Sequence, residues 1–493
     1  MTAITRKSDT GVPGLDDVLG GGLPSGCIYL CEGSPGVGKT TLAMQFLIEG
    51  RRQGQSCLYV TLSETKLELE AVAASHGWSL EGIDLIELSA IEAAIGSRPT
   101  TLFQSAEVEL AQLVKLLMEA IDRSKPARVV LDSLSEMRLL AQNPLRYRRE
   151  ILKIKQELAT RDCTTLLLDD RSAQGSDVQV HSIVHGALLL QAAPLKYGIF
   201  RRSISVTKVR GVAFREGSHD YVVERGGLRV FPRLVAAEHH AEFRRTVASS
   251  GNKQLYVLLG GGLHFGTSNL VIGPAGSGKT TLSTLFASTA AARGERVAYY
   301  VFDETVATMC QRARDMGIDL SAPMASGMLE VRQVDPAQMS PGELATRIRT
   351  AVDGHGVRVV VLDSLNGYIN SMPEEEFLHL HLHEMLTYLN QQGVMTMMLL
   401  AQHGLIGSMG TPIDVSYLAD SVIITRYFEA LGEIRKAISI IKKRSGPHET
   451  SVRELSMSPQ GIDIGPPLKE FQGVLTGVPS YLGGARGGSH PTG

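Results

Sequence analysis

Short apolar runs recur along the chain and alternate with stretches whose apolar positions repeat at helical spacing. In the first half these runs lie near Cys27–Cys31, Ser56–Leu62, Arg128–Leu131, Thr164–Leu168 and Ala187–Gln191, with helical patterns such as Thr40–Glu49 and Arg148–Ala159 between them. Strands that are apolar on both faces and alternate with helices predict a parallel sheet covered on each side. Toward the end of each half the pattern changes. Arg201–Lys208 and Glu433–Ile441 alternate in the manner of antiparallel strands, and Tyr221–Pro232 reads as a strand pair around Gly226-Gly227. The expected fold is α/β: a mixed, mostly parallel sheet flanked by helices.

The pattern is written twice. Residues 33–40 read Gly-Ser-Pro-Gly-Val-Gly-Lys-Thr and residues 273–280 read Gly-Pro-Ala-Gly-Ser-Gly-Lys-Thr, with Lys39 and Lys279 240 residues apart. Gly20-Gly21-Gly22-Leu23 and Gly260-Gly261-Gly262-Leu263 keep the same offset, as do Glu64 and Glu304. Asp132 and Asp363 are 231 apart, and Lys208 and Lys442 are 234 apart. Preserved order over so many landmarks indicates duplication. The expected organisation is a first domain over 1–240, a second over 241–475 and a flexible Gly-rich tail over 476–493. The polar stretch Ala236–Asn252 serves as the linker.

The repeated landmarks carry chemistry. Gly33, Ser34, Pro35, Gly36, Val37, Gly38, Lys39, Thr40 and Thr41 follow an apolar strand and open a helix, the context a phosphate-binding loop requires. Its backbone N–H groups turn inward around phosphates, and the helix N-terminus adds partial positive charge. Gly273, Pro274, Ala275, Gly276, Ser277, Gly278, Lys279, Thr280 and Thr281 repeat the loop. Lys39 and Lys279 are expected on the β- and γ-phosphates, and the Thr40 and Thr280 hydroxyls on Mg²⁺. Asp132 and Asp363 each end an apolar strand, which suits a carboxylate serving the same metal directly or through water. Glu64 and Glu304 follow the second strand of each copy and are the candidates to orient or deprotonate the attacking water. Lys208 and Arg210, and likewise Lys442 and Arg444, sit two residues apart on a strand, so each pair shares a face. Such paired cations suit an arginine-finger role. Gln402 at a strand end is a candidate γ-phosphate sensor, with Asp169 and Asp170 taken as its counterparts.

Composition narrows the classes. Lys plus Arg number 49 against 51 Asp plus Glu, a net charge of −2, without the basic excess that duplex DNA binding favours. The five cysteines, Cys27, Cys31, Cys57, Cys163 and Cys310, form no CxxC pair and read as free thiols of a reducing compartment. The N-terminal residues lack the apolar core of a signal peptide, and no apolar run spans a bilayer. A cytoplasmic protein without membrane or nucleic-acid partners is expected.

These residues together resemble the KaiC family of double-domain, RecA-like P-loop ATPases. The resemblance rests on residues 10–16 with Gly20-Gly21-Gly22-Leu23, both phosphate loops, Glu64 and Glu304, both Asp-Ser pairs, Lys208 to Gly211, and Gly432-Glu433 with Lys442 to Arg444. It covers about residues 8–475. It implies a homohexamer of two stacked rings with ATP between adjacent subunits, so that the Lys/Arg pairs act in trans. It further implies slow hydrolysis in the first ring, Ser/Thr autokinase activity in the second, and regulatory protein partners. Two departures matter. The family's Glu-Glu acids are here Ser63-Glu64 and Asp303-Glu304. The family's phosphorylated Ser-Thr pair corresponds to Ser416-Tyr417, and the preceding loop 407–412 differs, which leaves Ser416 as the single candidate phosphosite. A DNA-acting motor and a nucleotide-gated scaffold with little turnover are the competing readings on the same fold.

Overall fold

Each half of the chain must bury strands that are apolar on both faces, and each half does so with one sheet. The structure of the protein, a computed structural model, describes residues 6–87, 106–141, 143–171, 178–194, 198–370, 375–402, 415–475 and 479–481. The chain divides into two compact units, Met1–Arg233 and Leu234–Gly493. Leu234 and Ala236 belong to a core cluster of the second unit.

In the first unit the sheet consists of β1 (Ile28–Gly33), β2 (Cys57–Thr61), β3 (Asp84–Glu87), β4 (Arg128–Asp132), β5 (Thr164–Asp170), β6 (Gly186–Ala193), β7 (Arg201–Val209), β8 (Ser218–Glu224) and β9 (Gly227–Phe231). Their order across the sheet is β9-β8-β7-β6-β1-β5-β4-β2-β3. Strands β1 to β6 are mutually parallel, and β7, β8 and β9 extend the sheet antiparallel. The second unit has β10 (Ser268–Gly273), β11 (Arg296–Val301), β12 (Leu329–Gln333), β13 (Val357–Asp363), β14 (Met395–Ala401), β15 (Ser421–Ala430), β16 (Glu433–Lys443), β17 (Arg453–Ser458) and β18 (Gly461–Pro467). Its order, β18-β17-β16-β15-β10-β14-β13-β11-β12, repeats the first strand for strand. These are the two tandem α/β units that the repeated pattern predicts, with the RecA-like architecture that the resemblance implies.

The continuous apolar reading of β1 has a simple cause. Tyr29 and Cys31 enter one core cluster with Leu42 and Phe46 of the helix Lys39–Arg52. Ile28 and Leu30 enter a second cluster with Ile151 and Ile154 of the helix Pro144–Ala159. Successive side chains point to opposite faces, and both faces are covered. The second helix starts ahead of the Arg148 expected from periodicity. Asn143 caps it by accepting from the Leu145 N–H, and Pro144 occupies the first turn. The edge strand β3, Asp84–Glu87, escapes the apolar pattern because it is short, half-exposed and acidic at both ends. Of the expected tail, residues 476–478 and 482–493 lie outside the described residues, while Ser480–Tyr481 pairs with Phe471–Gln472.

The antiparallel strands are tied back to the parallel core. In the first unit the Gln45 side chain, buried on the phosphate-loop helix, donates to the Leu228 carbonyl at 3.0 Å and accepts from the Leu228 N–H at 2.8 Å. His219 on β8 is fully buried; its Nδ1 accepts from the Arg233 N–H at 2.9 Å and its Nε2 lies 3.0 Å from the Arg215 carbonyl. That pairing fits the neutral ring with the proton on Nε2. Burial, reinforced by Arg215 and Arg233, pushes the His219 pKa below its ordinary 6.5. A histidine whose folded pKa is depressed contributes stability above its unfolded value and loses it as pH falls from there toward the folded value. Below the ordinary 6.5 the first unit is therefore expected to weaken by up to about 1.4 kcal/mol per pH unit. Trp78 is the single tryptophan of the chain and lies in this unit, so urea unfolding followed by its fluorescence between pH 5 and pH 8 reads the effect. His219→Gln is expected to flatten the pH dependence.

Candidate functional site

The carboxyl ends of the parallel strands collect the phosphate loop, the strand-end aspartate and the candidate acid in each unit, while the Lys/Arg pair lies at the opposite, amino end. Strand β1 ends at Gly33 and the helix starts at Lys39, with Gly36 and Gly38 at φ of 79° and 101°. These left-handed values suit glycine and let the loop turn its N–H groups inward. Lys39 Nζ donates to the Gly33 and Ser34 carbonyls at 2.9 and 3.0 Å, and Lys279 Nζ donates to Gly273 and Pro274 at 3.0 and 2.8 Å. Both lysines thus fold over their own loop. Among the described residues only the first is also ion-paired, to Asp170 at 2.6 Å. Burial pushes Lys279 down to about 8, against the opposing pull of Asp363 and Asp303.

The strand register revises one expected correspondence. Asp170 lies opposite Gly33 and Ala401 lies opposite Gly273, so the counterpart of Gln402 is Arg171 and neither Asp169 nor Asp170. Arg171 and Gln402 each donate a backbone N–H to the loop glycine carbonyl, at 3.1 and 3.0 Å. Asp169 turns instead to the Ser135 hydroxyl at 3.1 Å and to Arg138.

Asp132 and Asp363 end β4 and β13 and are buried. The Thr40 hydroxyl donates to Asp132 at 3.2 Å, and the Tyr59 hydroxyl donates to the same oxygen at 2.6 Å. In the second unit Tyr299 donates to Asp363 at 2.9 Å, and the Thr280 hydroxyl also bonds it. Burial raises both carboxyl pKa values above the ordinary range, against the lowering effect of these hydroxyls. A buried carboxylate beside a loop threonine hydroxyl is an all-oxygen donor set of the kind Mg²⁺ takes, so the residues fit that ion. Tyr59 and Tyr299 were not apparent as site residues from the motifs. Their signal was available, since both lie two residues before the end of equivalent strand segments and are 240 residues apart. The peptide bonds Asp132–Ser133 and Asp363–Ser364 are both cis.

The two candidate water-orienting acids differ. Glu64 is fixed at its backbone by Thr61, whose hydroxyl accepts from the Glu64 N–H at 2.9 Å and donates to its carbonyl at 2.8 Å. Its Oε2 is buried and takes no hydrogen bond among the described residues. Burial, then Asp132, Glu68 and Asp170, raise its pKa above the ordinary value. Glu304 instead meets Arg312, whose two terminal nitrogens each donate to one carboxylate oxygen, Nη1 to Oε2 at 2.7 Å. Next to it, Asp303 accepts from the Ser364 hydroxyl at 2.5 Å.

The Lys/Arg pairs occupy equivalent places in the two units. Lys208 sits opposite Ala187 and Lys442 opposite Val422, and a register shift follows each of these partners. Lys208 donates to the His181 and Val184 carbonyls at 2.7 and 2.8 Å, and Arg210 donates to Ser182 at 2.8 Å. Lys442 donates to Ser416 at 2.9 Å and Arg444 to Tyr417 at 3.1 Å. Each pair therefore holds the turn that leads into the strand beside the phosphate-loop strand. Arg444 also lies 3.7 Å from Asp420, whereas the equivalent position in the first unit is His185, whose pKa is lowered by burial and by Lys155, Arg210 and Lys208. The candidate phosphosite Ser416 is half-buried in this turn and Tyr417 is exposed. The loop 407–412 before it lies outside the described residues.

Among the described residues no helix is long and apolar enough to cross a membrane. A family profile described as "ATPase: KaiC" matches residues 8–235 and again 248–469. The circadian clock protein KaiC3 of Synechocystis sp. is 26% identical over 487 residues, 97% of this chain and 95% of the relative. The circadian clock oscillator protein KaiC of Parathermosynechococcus lividus is 26% identical over 482 residues, covering 97% and 88%. The circadian clock protein KaiC2 of Synechocystis sp. is 27% identical over 480 residues, covering 96% and 84%. With the same family matched twice and each match seated on a phosphate loop, a buried strand-end aspartate and a Lys/Arg pair, the chain belongs to the KaiC ATPase family.

Proposed function

We propose that the chain is a Mg-dependent ATPase that assembles as a double-ring homohexamer, with its functional domains divided near residues 240 and 475. The observation that carries the hydrolytic reading is Glu64: a buried carboxylate oxygen without a hydrogen-bond partner among the described residues, held at a fixed backbone position at the strand ends beside Asp132. A poised, unpaired carboxylate is what orienting a water requires. In this reading the loops 33–41 and 273–281 cradle the phosphates of ATP, and Lys39 leaves Asp170 to take them. Thr40 with Asp132, and Thr280 with Asp363, would hold Mg²⁺, which when bound neutralises charge on the phosphates. Glu64 and Glu304 orient the attacking water. Lys208 with Arg210, and Lys442 with Arg444, present their charge to ATP held by the neighbouring subunit, because each pair lies at the opposite end of the sheet from its own phosphate loop. The clock role in the relatives' names extends to this chain only as part of this proposal, as a regulatory output through protein partners. Phosphorylation of Ser416 belongs to it in the same way.

Lys39→Ala and Lys279→Ala are each expected to lower ATP stoichiometry from about two to about one per chain, read by equilibrium dialysis, since each removes one phosphate contact set. Glu64→Gln is expected to keep ATP binding while reducing phosphate release by the first unit about 10²-fold or more. Unchanged release from that unit would remove Glu64 from the reaction. Arg210→Ala is expected to bind ATP and hydrolyse it slowly. Mixing Arg210→Ala with Glu64→Gln subunits should then restore part of the activity, because some interfaces regain both groups; absence of recovery in confirmed mixed rings would place the arginine in cis. Incubation with ATP labelled on the γ-phosphate, for wild type and Ser416→Ala, reads the autokinase component: label that stays on protein and disappears with the substitution is the expected result.

A further inference from the structure

Arg312 is a charged position of the second unit that the repeat does not preserve in the first. Arg312 lies on the helix Val306–Asp315, which Thr305 caps by accepting from the Thr308 N–H. Its guanidinium grips both oxygens of Glu304 in a fork, one contact measuring 2.7 Å. The Glu304 side chain is 18% exposed and that of Arg312 39%, so the pair is partly shielded from water. Eight residues after Glu64 the first unit has Val72 instead, half-buried against the apolar core, and Glu64 Oε2 has no partner among the described residues. A second pair points the same way. Arg444 faces Asp420, while Arg210 has His185 at the matching place. In the second unit both the candidate acid and the candidate finger are thus ion-paired within their own unit. In the first unit the acid is not.

We propose that Arg312 is a positioning residue that restrains hydrolysis in the second unit by holding the Glu304 carboxylate in a bidentate pair, so that this unit retains ATP while the first turns it over. The inference rests on the reading of Glu304 as the water-orienting acid. The physical argument is geometric. A forked guanidinium takes the two favoured lone-pair directions of the carboxylate with charge-assisted bonds, the strongest kind available to a side chain. To accept a hydrogen bond from water along either direction, Glu304 has to release one arm of Arg312. That release raises the barrier of every turnover in this unit, and nothing equivalent acts on Glu64. Arg312 is an addition to a helix face where the first unit places an apolar side chain, and its removal leaves no buried cation behind.

The test uses the full chain carrying Glu64→Gln, which silences the first unit and leaves the second as the source of phosphate release. Adding Arg312→Ala is expected to raise kcat at least about tenfold, the scale of one charge-assisted contact, with KM for ATP changed by less than roughly twofold. Arg312→Lys keeps the charge and one contact, so its kcat should stay near that of the Glu64→Gln parent; this variant also decides the matter if the alanine variant folds poorly. Adding Glu304→Gln to Arg312→Ala should abolish the gain. An Arg312→Ala kcat equal to or below the parent overturns the restraint and makes Arg312 an orienting partner or a bystander. If Glu304→Gln alone leaves the residual turnover of the second unit unchanged, the reading of Glu304 as the acid fails first and the restraint fails with it.

Discussion

A carboxylate buried at the end of the fourth strand is the constraint on which each unit depends. Asp132 and Asp363 lie where apolar strands converge, and burial disfavours their charge. Two hydroxyls steady each one: a tyrosine from the neighbouring strand and the threonine that opens the phosphate-loop helix. The same threonine belongs to the loop that would wrap phosphate. The buried acid therefore ties strand, loop and nucleotide site together, and a cation bound beside it would relieve the charge that folding leaves there.

The rest of the scaffold holds that point in place. Parallel pairing of β1 with β5 and β6 sets the loop glycine beside the strand ends that carry Asp170 and Leu190. The antiparallel strands reach back to it through Gln45, which bonds the backbone of Leu228 on both sides, and through the Tyr221 hydroxyl, which donates to the Val37 carbonyl at 2.6 Å. On the same extension the Lys/Arg pairs secure the turn before the strand next to the loop.

Duplication supplied two copies of this arrangement, and local side chains then set them apart. Lys39 faces Asp170 where Lys279 faces an alanine position, and Glu64 keeps a buried oxygen without a hydrogen bond among the described residues where Glu304 is gripped by Arg312. Among the described residues the first unit thus ion-pairs its phosphate-loop lysine, and the second ion-pairs its candidate acid. Different charge pairing is achieved on one backbone without any change of fold.

The sequence by itself determined the duplication, the strand–loop–helix context of both phosphate loops, the strand-end acids and the paired cations. All of these follow from short-range rules: period, glycine at special turns, and residue spacing along one strand. The parallel sheet was legible because strands covered on both faces are apolar throughout, and the antiparallel extension because its strands alternate. Only the tertiary structure decided which residues meet across strands. Tyr59 reaches Asp132 from a neighbouring strand. Arg171 rather than Asp169 or Asp170 matches Gln402, because parallel register is set by side-chain packing between strands far apart in sequence. The partner of Glu304 was hidden for the same kind of reason. Arg312 stands on the helix that follows it, where only the three-dimensional path of the chain brings guanidinium to carboxylate. Linear motifs name the groups that can do chemistry, while the pairing that frees or restrains each group is a property of the packed fold.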